Sequence, residues 1–145
     1  MVAVSAAALV VVSGAAATIV VQRSIAGVKM GMTQAKVRCV LGRPTRVVHG
    51  SNDFGRYVQF RYAKLSVNFQ GEATASNVST TRASERTASG VGVGSSRAEV
   101  KAKIAGVKCS ASLCTVGQFL PGRKVTSFFL KRGVVSRVAL GVVLD

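Results

Sequence analysis

Apolar and polar residues alternate over two neighbouring stretches: Val58, Phe60 and Tyr62 against Tyr57, Gln59 and Arg61, then Leu65, Val67 and Phe69 against Ser66, Asn68 and Gln70. A period of two places successive side chains on opposite faces of a strand. The pattern therefore predicts strands at Tyr57–Tyr62 and Leu65–Gln70 with one apolar and one polar face. Further strand-forming stretches follow at Thr74–Thr80, Leu113–Phe119, Lys124–Leu130 and Val134–Gly141, with turn residues at Gly71 and at Lys131–Gly133.

Ahead of each set of strands the pattern is that of a helix. Ser96 and Glu99 form S-x-x-E, in which the hydroxyl accepts from the amide three residues on and the Glu reaches back to the cap's own amide. A helix from about Ser96 to Ile104 follows, with Val100 and Ile104 on one face. Thr33 opens a second helix, lined by Val37, Val40 and Leu41 and stopped at Gly42 before Pro44.

The two helix regions match each other. Gly27–Leu41 aligns with Gly90–Ile104 at a constant offset of 63, pairing Gly31 with Gly94, Thr33 with Ser96 and Val37 with Val100. Farther on, at offsets of 59 to 60, Phe60 meets Phe119, Phe69 meets Phe129 and Val78 meets Val138. A repeated unit too small to hold its own core must share one with its copy. The expectation is an α+β domain: two tandem helix-plus-three-strand repeats, 25–81 and 90–145, sharing an antiparallel sheet with helices on one face. Segment 82–89, with no apolar periodicity, reads as a linker.

No charged residue occurs from Met1 to Gln22, and the runs Ala6–Val12 and Ala15–Val21 are apolar and small. Residues 1–22 read as a signal peptide or N-terminal membrane anchor, with cleavage simplest after Ala15 or Ala17. The first positive charge, Arg23, follows this run; if the segment is not cleaved, the domain would stay on the cytoplasmic side. Beyond it the domain is strongly basic, 20 Lys and Arg against 5 Asp and Glu, a net of 20 − 5 = +15. Such a field attracts polyanions, including acidic envelope polymers and anionic lipid; compositional bias toward Arg accounts for it equally well.

The opening Gly27-x-x-x-Gly31-Met32-Thr33 and the ending Val40-Leu41-Gly42-Arg43-Pro44, each ahead of antiparallel strands, resemble one superfamily. It groups the outer-membrane assembly lipoproteins of the SmpA/OmlA (BamE-like) type with the beta-lactamase inhibitor proteins. The tandem arrangement is similar to the inhibitor side, and the chain looks closest to uncharacterised exported actinobacterial proteins. The resemblance implies action by protein contact rather than by chemistry. No cysteine stands where a lipid anchor would be attached, and no inhibitory residue transfers by position.

Cys109 and Cys114 are spaced for a small disulfide loop in an oxidising compartment. Cys39, flanked by Val37, Val40 and Leu41, reads as a small buried hydrophobe. His49 falls in a polar run with Gly50, Ser51, Asn52 and Asp53, best read as a solvated loop rather than part of a triad. Five carboxylates in all, Asp53, Glu72, Glu85, Glu99 and Asp145, form no acid/base pair in the sequence. The glycines of Gly90-Val91-Gly92-Val93-Gly94 lack the ending of a phosphate-binding loop. No catalytic residue, metal site or cofactor is expected.

Aligning Phe129 with Phe69 sends Phe128 and Leu130 to the uncovered face. With Arg123, Lys124, Lys131, Arg132, Arg61 and Arg137 they form the expected interaction surface. The function expected is an exported, non-enzymatic binding module of the cell envelope, its partner a protein or an acidic envelope polymer, with nucleic acid disfavoured. The alternative is a membrane-anchored cytoplasmic binder of anionic lipid or nucleic acid.

Overall fold

The computed structural model describes residues 17–145; most of the expected export segment lies outside them. A small antiparallel pair, Ile19–Val20 (β1) and Ser24–Ile25 (β2), opens the described chain. Helix Gln34–Leu41 (α1) is followed by Arg46–Asn52 (β3), Gly55–Tyr62 (β4), Leu65–Gln70 (β5) and Asn77–Thr80 (β6). Helix Arg97–Lys103 (α2) is followed by Lys108–Cys109 (β7), Leu113–Val116 (β8), Lys124–Lys131 (β9) and Val134–Val142 (β10). Strands β3 to β10 build one eight-stranded antiparallel sheet in the order β3-β4-β5-β6-β10-β9-β8-β7. Two meanders thus join edge to edge through β6 and β10.

This corrects the expected α+β architecture of two tandem helix-plus-three-strand repeats with helices on one face. The protein is mostly β, with helices of only 8 and 7 residues, and each helix precedes four strands rather than three. The additional strands are the two edges, β3 and β7. His49 to Asp53 read as a polar loop, but His49–Asn52 belong to β3; most of β3 is exposed, and a strand wet on both faces needs no alternation. Strand β7 is two residues long, too short to show a period.

Val37 and Val100 are both fully buried, in one cluster with Phe60, Val67, Phe69, Val78, Phe128, Val138 and Leu140. The helix caps form as expected: the Thr33 hydroxyl accepts from Lys36 N–H at 3.2 Å and the Ser96 hydroxyl from Glu99 N–H at 3.1 Å. Glu99 does not reach back to the Ser96 amide; its carboxylate accepts from the Ser96 hydroxyl at 3.4 Å. The rest of α1 is wetter than its periodicity suggests, with Val40 and Cys39 exposed rather than buried. At the end of β4 the Tyr62 hydroxyl donates to the Gly42 carbonyl at 2.9 Å, and burial holds this phenol above its usual pKa against a lowering pull from Arg38.

Both halves tie the segment before the helix to the chain at the start of the last strand, just before β6 in one and within β10 in the other. Gly31 N–H donates to Ala75 O and Ala75 N–H to Met32 O, at 2.8 and 2.7 Å. Gly94 N–H donates to Val135 O and Val135 N–H to Ser95 O, both at 2.8 Å. The glycines have positive φ, +87° and +96°, which favours a residue without a side chain.

Segment 82–89 is not a loose linker. Glu85 and Thr87 are buried, and the Arg86 guanidinium donates to Ala83 O, Gly90 O, Val93 O and Ser95 Oγ at 3.0 to 3.2 Å. Polar composition hid this because the order comes from hydrogen bonds to backbone, which leave no hydrophobic period. The Arg86 carbonyl also accepts from Thr18 and Ile19 N–H, at 3.0 and 2.9 Å. Ile19 is 1% exposed and belongs to the core. The folded domain therefore takes in residues from Thr18, and the expected boundary after residue 22 falls inside it.

Candidate interaction face of the sheet

Alternation across the ladder fixes what the sheet presents on the face turned away from the core. Tyr62 and Leu65 close a two-residue turn, and Gly71 N–H donates to Arg56 O at 2.7 Å. Cross-strand pairing then aligns Arg46, Arg61, Ser66, Ser79, Ala139, Ser127 and Thr115 in one row. The next row carries Val48, Gln59, Asn68, Asn77, Gly141 and Val125. The centre of this face is thus a field of hydroxyls and amides, with Ser66 and Ser79 in mutual contact at 3.1 Å.

A shallow groove of about 410 Å³ runs over these rows, with no acidic side chain in its lining. Asn68 Oδ1 is buried and has no hydrogen-bond partner among the described residues. One flank of the groove is formed by Phe129, with the Arg137 guanidinium 4.0 Å from its ring centre. Beyond Phe129 lies an apolar hollow of about 260 Å³ at Phe119, Val125, Val142 and Val143. Phe119 is 63% exposed there, next to Leu120 at 51%.

Two of the expected surface residues are not on the surface. Phe128 is fully buried and Leu130 is 8% exposed, both in the core, while Phe129 takes the opposite face. The cause is a one-residue slip. In the first half Val67 pairs with Val78, and in the second Phe128 pairs with Val138. Val138 stands 60 residues after Val78, but Phe128 stands 61 after Val67. The step from Phe128 to Val138 is thus one residue shorter than the step from Val67 to Val78, even with a bulge between Val135 and Arg137, and a slip of one exchanges every side chain between the two faces.

The six expected cations are all exposed but do not form one rim. Arg61 and Arg137 border the polar face, Lys131 and Arg132 sit at the β9–β10 turn, and Arg123 and Lys124 stand at the other end of β9. Eight strand residues at about 3.3 Å each separate the last two groups by more than 20 Å. Sequence reasoning identified the polar sides of β4 and β5 but did not single out Gln59, Ser66, Asn68, Asn77 or Ser79 as a site. Their signal was uncharged polar residues at alternate positions of a central strand, where one wet face suffices.

Cys109 and Cys114 form the expected disulfide, their α carbons 4.0 Å apart on neighbouring strands. His49 lies on β3 opposite Val58, and Asp53 is in the β3–β4 turn. Gly92 of the glycine run packs against the Glu85 carbonyl, where a Cβ would sit 2.4 Å away. That glycine serves close packing. Among the described residues no helix is long and apolar enough to cross a membrane. The chain matches no model of a known protein family, no curated protein and no solved structure.

Proposed function

We propose that the protein is an exported, non-enzymatic binding module of the cell envelope that acts by contact through the polar face of its sheet. The observation that carries this reading is the groove over Gln59, Ser66, Asn68, Asn77 and Ser79, which sets amides and hydroxyls beside the Phe129–Arg137 pair. An aromatic stacked with Arg is the kind of anchor that protein contact surfaces favour, and amides and hydroxyls suit a polar, wet surround. The surplus of cations supports a partner of net negative charge, a protein or an acidic envelope polymer.

The Cys109–Cys114 disulfide supports an oxidising compartment, and with it the exported reading over the cytoplasmic one. The apolar residues before Thr18 supply the export signal on this reading, and cleavage after Ala15 or Ala17 would leave Ile19 to fill the core.

Two measurements test the proposal. A C-terminal alkaline phosphatase fusion is expected to be active, and intact mass of the extracytoplasmic protein to show loss of the N-terminal segment; an inactive fusion rejects export. Immobilised protein is expected to retain a component of envelope extract that an Asn77→Arg, Ser79→Arg variant of equal melting temperature does not. Equal retention by both removes the polar face as the site.

A further inference from the structure

The eight-stranded sheet ends in β3, and nothing among the described residues pairs with its outer edge. Which backbone groups point outward follows from the ladder. Arg56 gives its carbonyl to Gly71 on the β5 side, and the two-residue turn closing at Tyr62 and Leu65 gives Val58 and Phe60 to β5 likewise. Tyr57, Gln59 and Arg61 therefore bond inward to Gly50, Val48 and Arg46. The N–H and C=O groups of Val47, His49 and Ser51 are directed away from the sheet, and no hydrogen bond to any of them occurs among the described residues.

An open edge of this length is a template for another strand, and proteins that avoid such pairing blunt it with Pro, inward charge or a covering loop. β3 has no Pro, and its neighbourhood is charged with one sign. Arg43, Arg46, Arg56 and Arg61 are all exposed, while Asp53 is the one carboxylate between Arg38 and Lys64. The two faces beside the edge differ. Arg46 and Arg61 lie side by side on the polar face, and Val47, 37% exposed, lies beside Phe60 on the other.

We infer that the β3 edge is a second binding site, which takes an extended acidic peptide segment of a partner protein by strand addition. Main-chain bonds to Val47, His49 and Ser51 supply affinity. Alternate side chains of the added strand fall beside the Arg46–Arg61 row, where carboxylates suit, and beside Val47, where a β-branched residue suits. A second copy of this chain fits less well, because edge-to-edge pairing would bring two such arginine groups together at a net charge of +15 on each chain. The site adjoins the polar groove, which reaches β3 at Asn52, but it uses outward main-chain groups and does not depend on the function proposed for the groove.

The probe is a fluorescent octapeptide of alternating Glu and Val, read by anisotropy with the full domain. Binding is expected, with at least tenfold loss when alternate peptide nitrogens are methylated, when Glu is replaced by Lys, and in the His49→Pro and Arg46→Glu variants. His49→Pro removes only an outward N–H, a place where an edge strand tolerates proline, and its melting temperature is expected to stay within a few degrees. The Asn77→Arg, Ser79→Arg variant is expected to bind the peptide normally. Equal binding of the methylated peptide would reduce the edge to a nonspecific polyanion site and overturn the proposal. So would loss of binding in the groove variant, or sedimentation of the free protein as a dimer that His49→Pro dissociates.

Discussion

The outer hairpins of the two halves solve one packing problem with different chemistry. In the first half Val47 on β3 faces Phe60 on β4, and Phe60 faces Val67 on β5. In the second Cys109 on β7 faces Cys114 on β8, and Cys114 faces Phe128 on β9. Phe60 and Cys114 are both fully buried. A large aromatic on a long ladder is thus replaced by a disulfide on a short one, with the bulk moved one strand inward to Phe128. The first hairpin pairs seven residues with β4, enough main-chain bonds to persist beside water. The second pairs two, and a covalent link supplies what the ladder lacks. Both halves end in an unpaired edge, but the second is two residues long and stapled, whereas the first is seven residues long and held by main-chain bonds alone.

The comparison can be broken most severely at β9. If Phe128 is the counterpart of the inward Val67, Phe128→Ala is expected to cost about 3–5 kcal/mol. Phe129→Ala, which loses an exposed stacking contact with Arg137, is expected to cost about 1 kcal/mol. Denaturant melts of the two variants decide it; equal losses would mean that both faces of β9 are core. A smaller effect tests the staple. Reducing the Cys109–Cys114 bond is expected to cost about 2 kcal/mol, the loop-closure entropy of so short a loop, whereas Val47→Ala is expected to cost under about 1 kcal/mol because Val47 is half exposed. An unchanged melting curve in reductant would show that β7 and β8 hold without their link. The finest comparison lies at the caps. Thr33→Ala and Ser96→Ala are each expected to cost about 1 kcal/mol, with Ser96 the larger by the contact its hydroxyl makes to Glu99. Circular dichroism melts of both variants measure the difference, and a larger loss at Thr33 would assign Glu99 no part in the cap.

Several features were legible from local rules. Thr33 and Ser96 announce helix starts because a short hydroxyl satisfies an amide that no preceding turn can. Strands β4 and β5 were readable since each keeps one wet face, which forces a strict period of two. The Cys109–Cys114 pair followed from spacing alone. Other features lay beyond local rules. β3 is exposed on both sides and shows no period, and Arg86 orders its segment through main-chain acceptors that no composition marks.

By itself the sequence determined where the helices begin, that one sheet face is polar in β4 and β5, and which cysteines pair. Tertiary structure alone decided the register of β9, the order in which the two meanders join, and hence which of Phe128 and Phe129 meets the core. The physical reason is that Val125–Leu130 carries apolar groups at both parities. Its alternation is therefore silent, and only hydrogen-bonded pairing with β10, bulge included, distinguishes inside from outside.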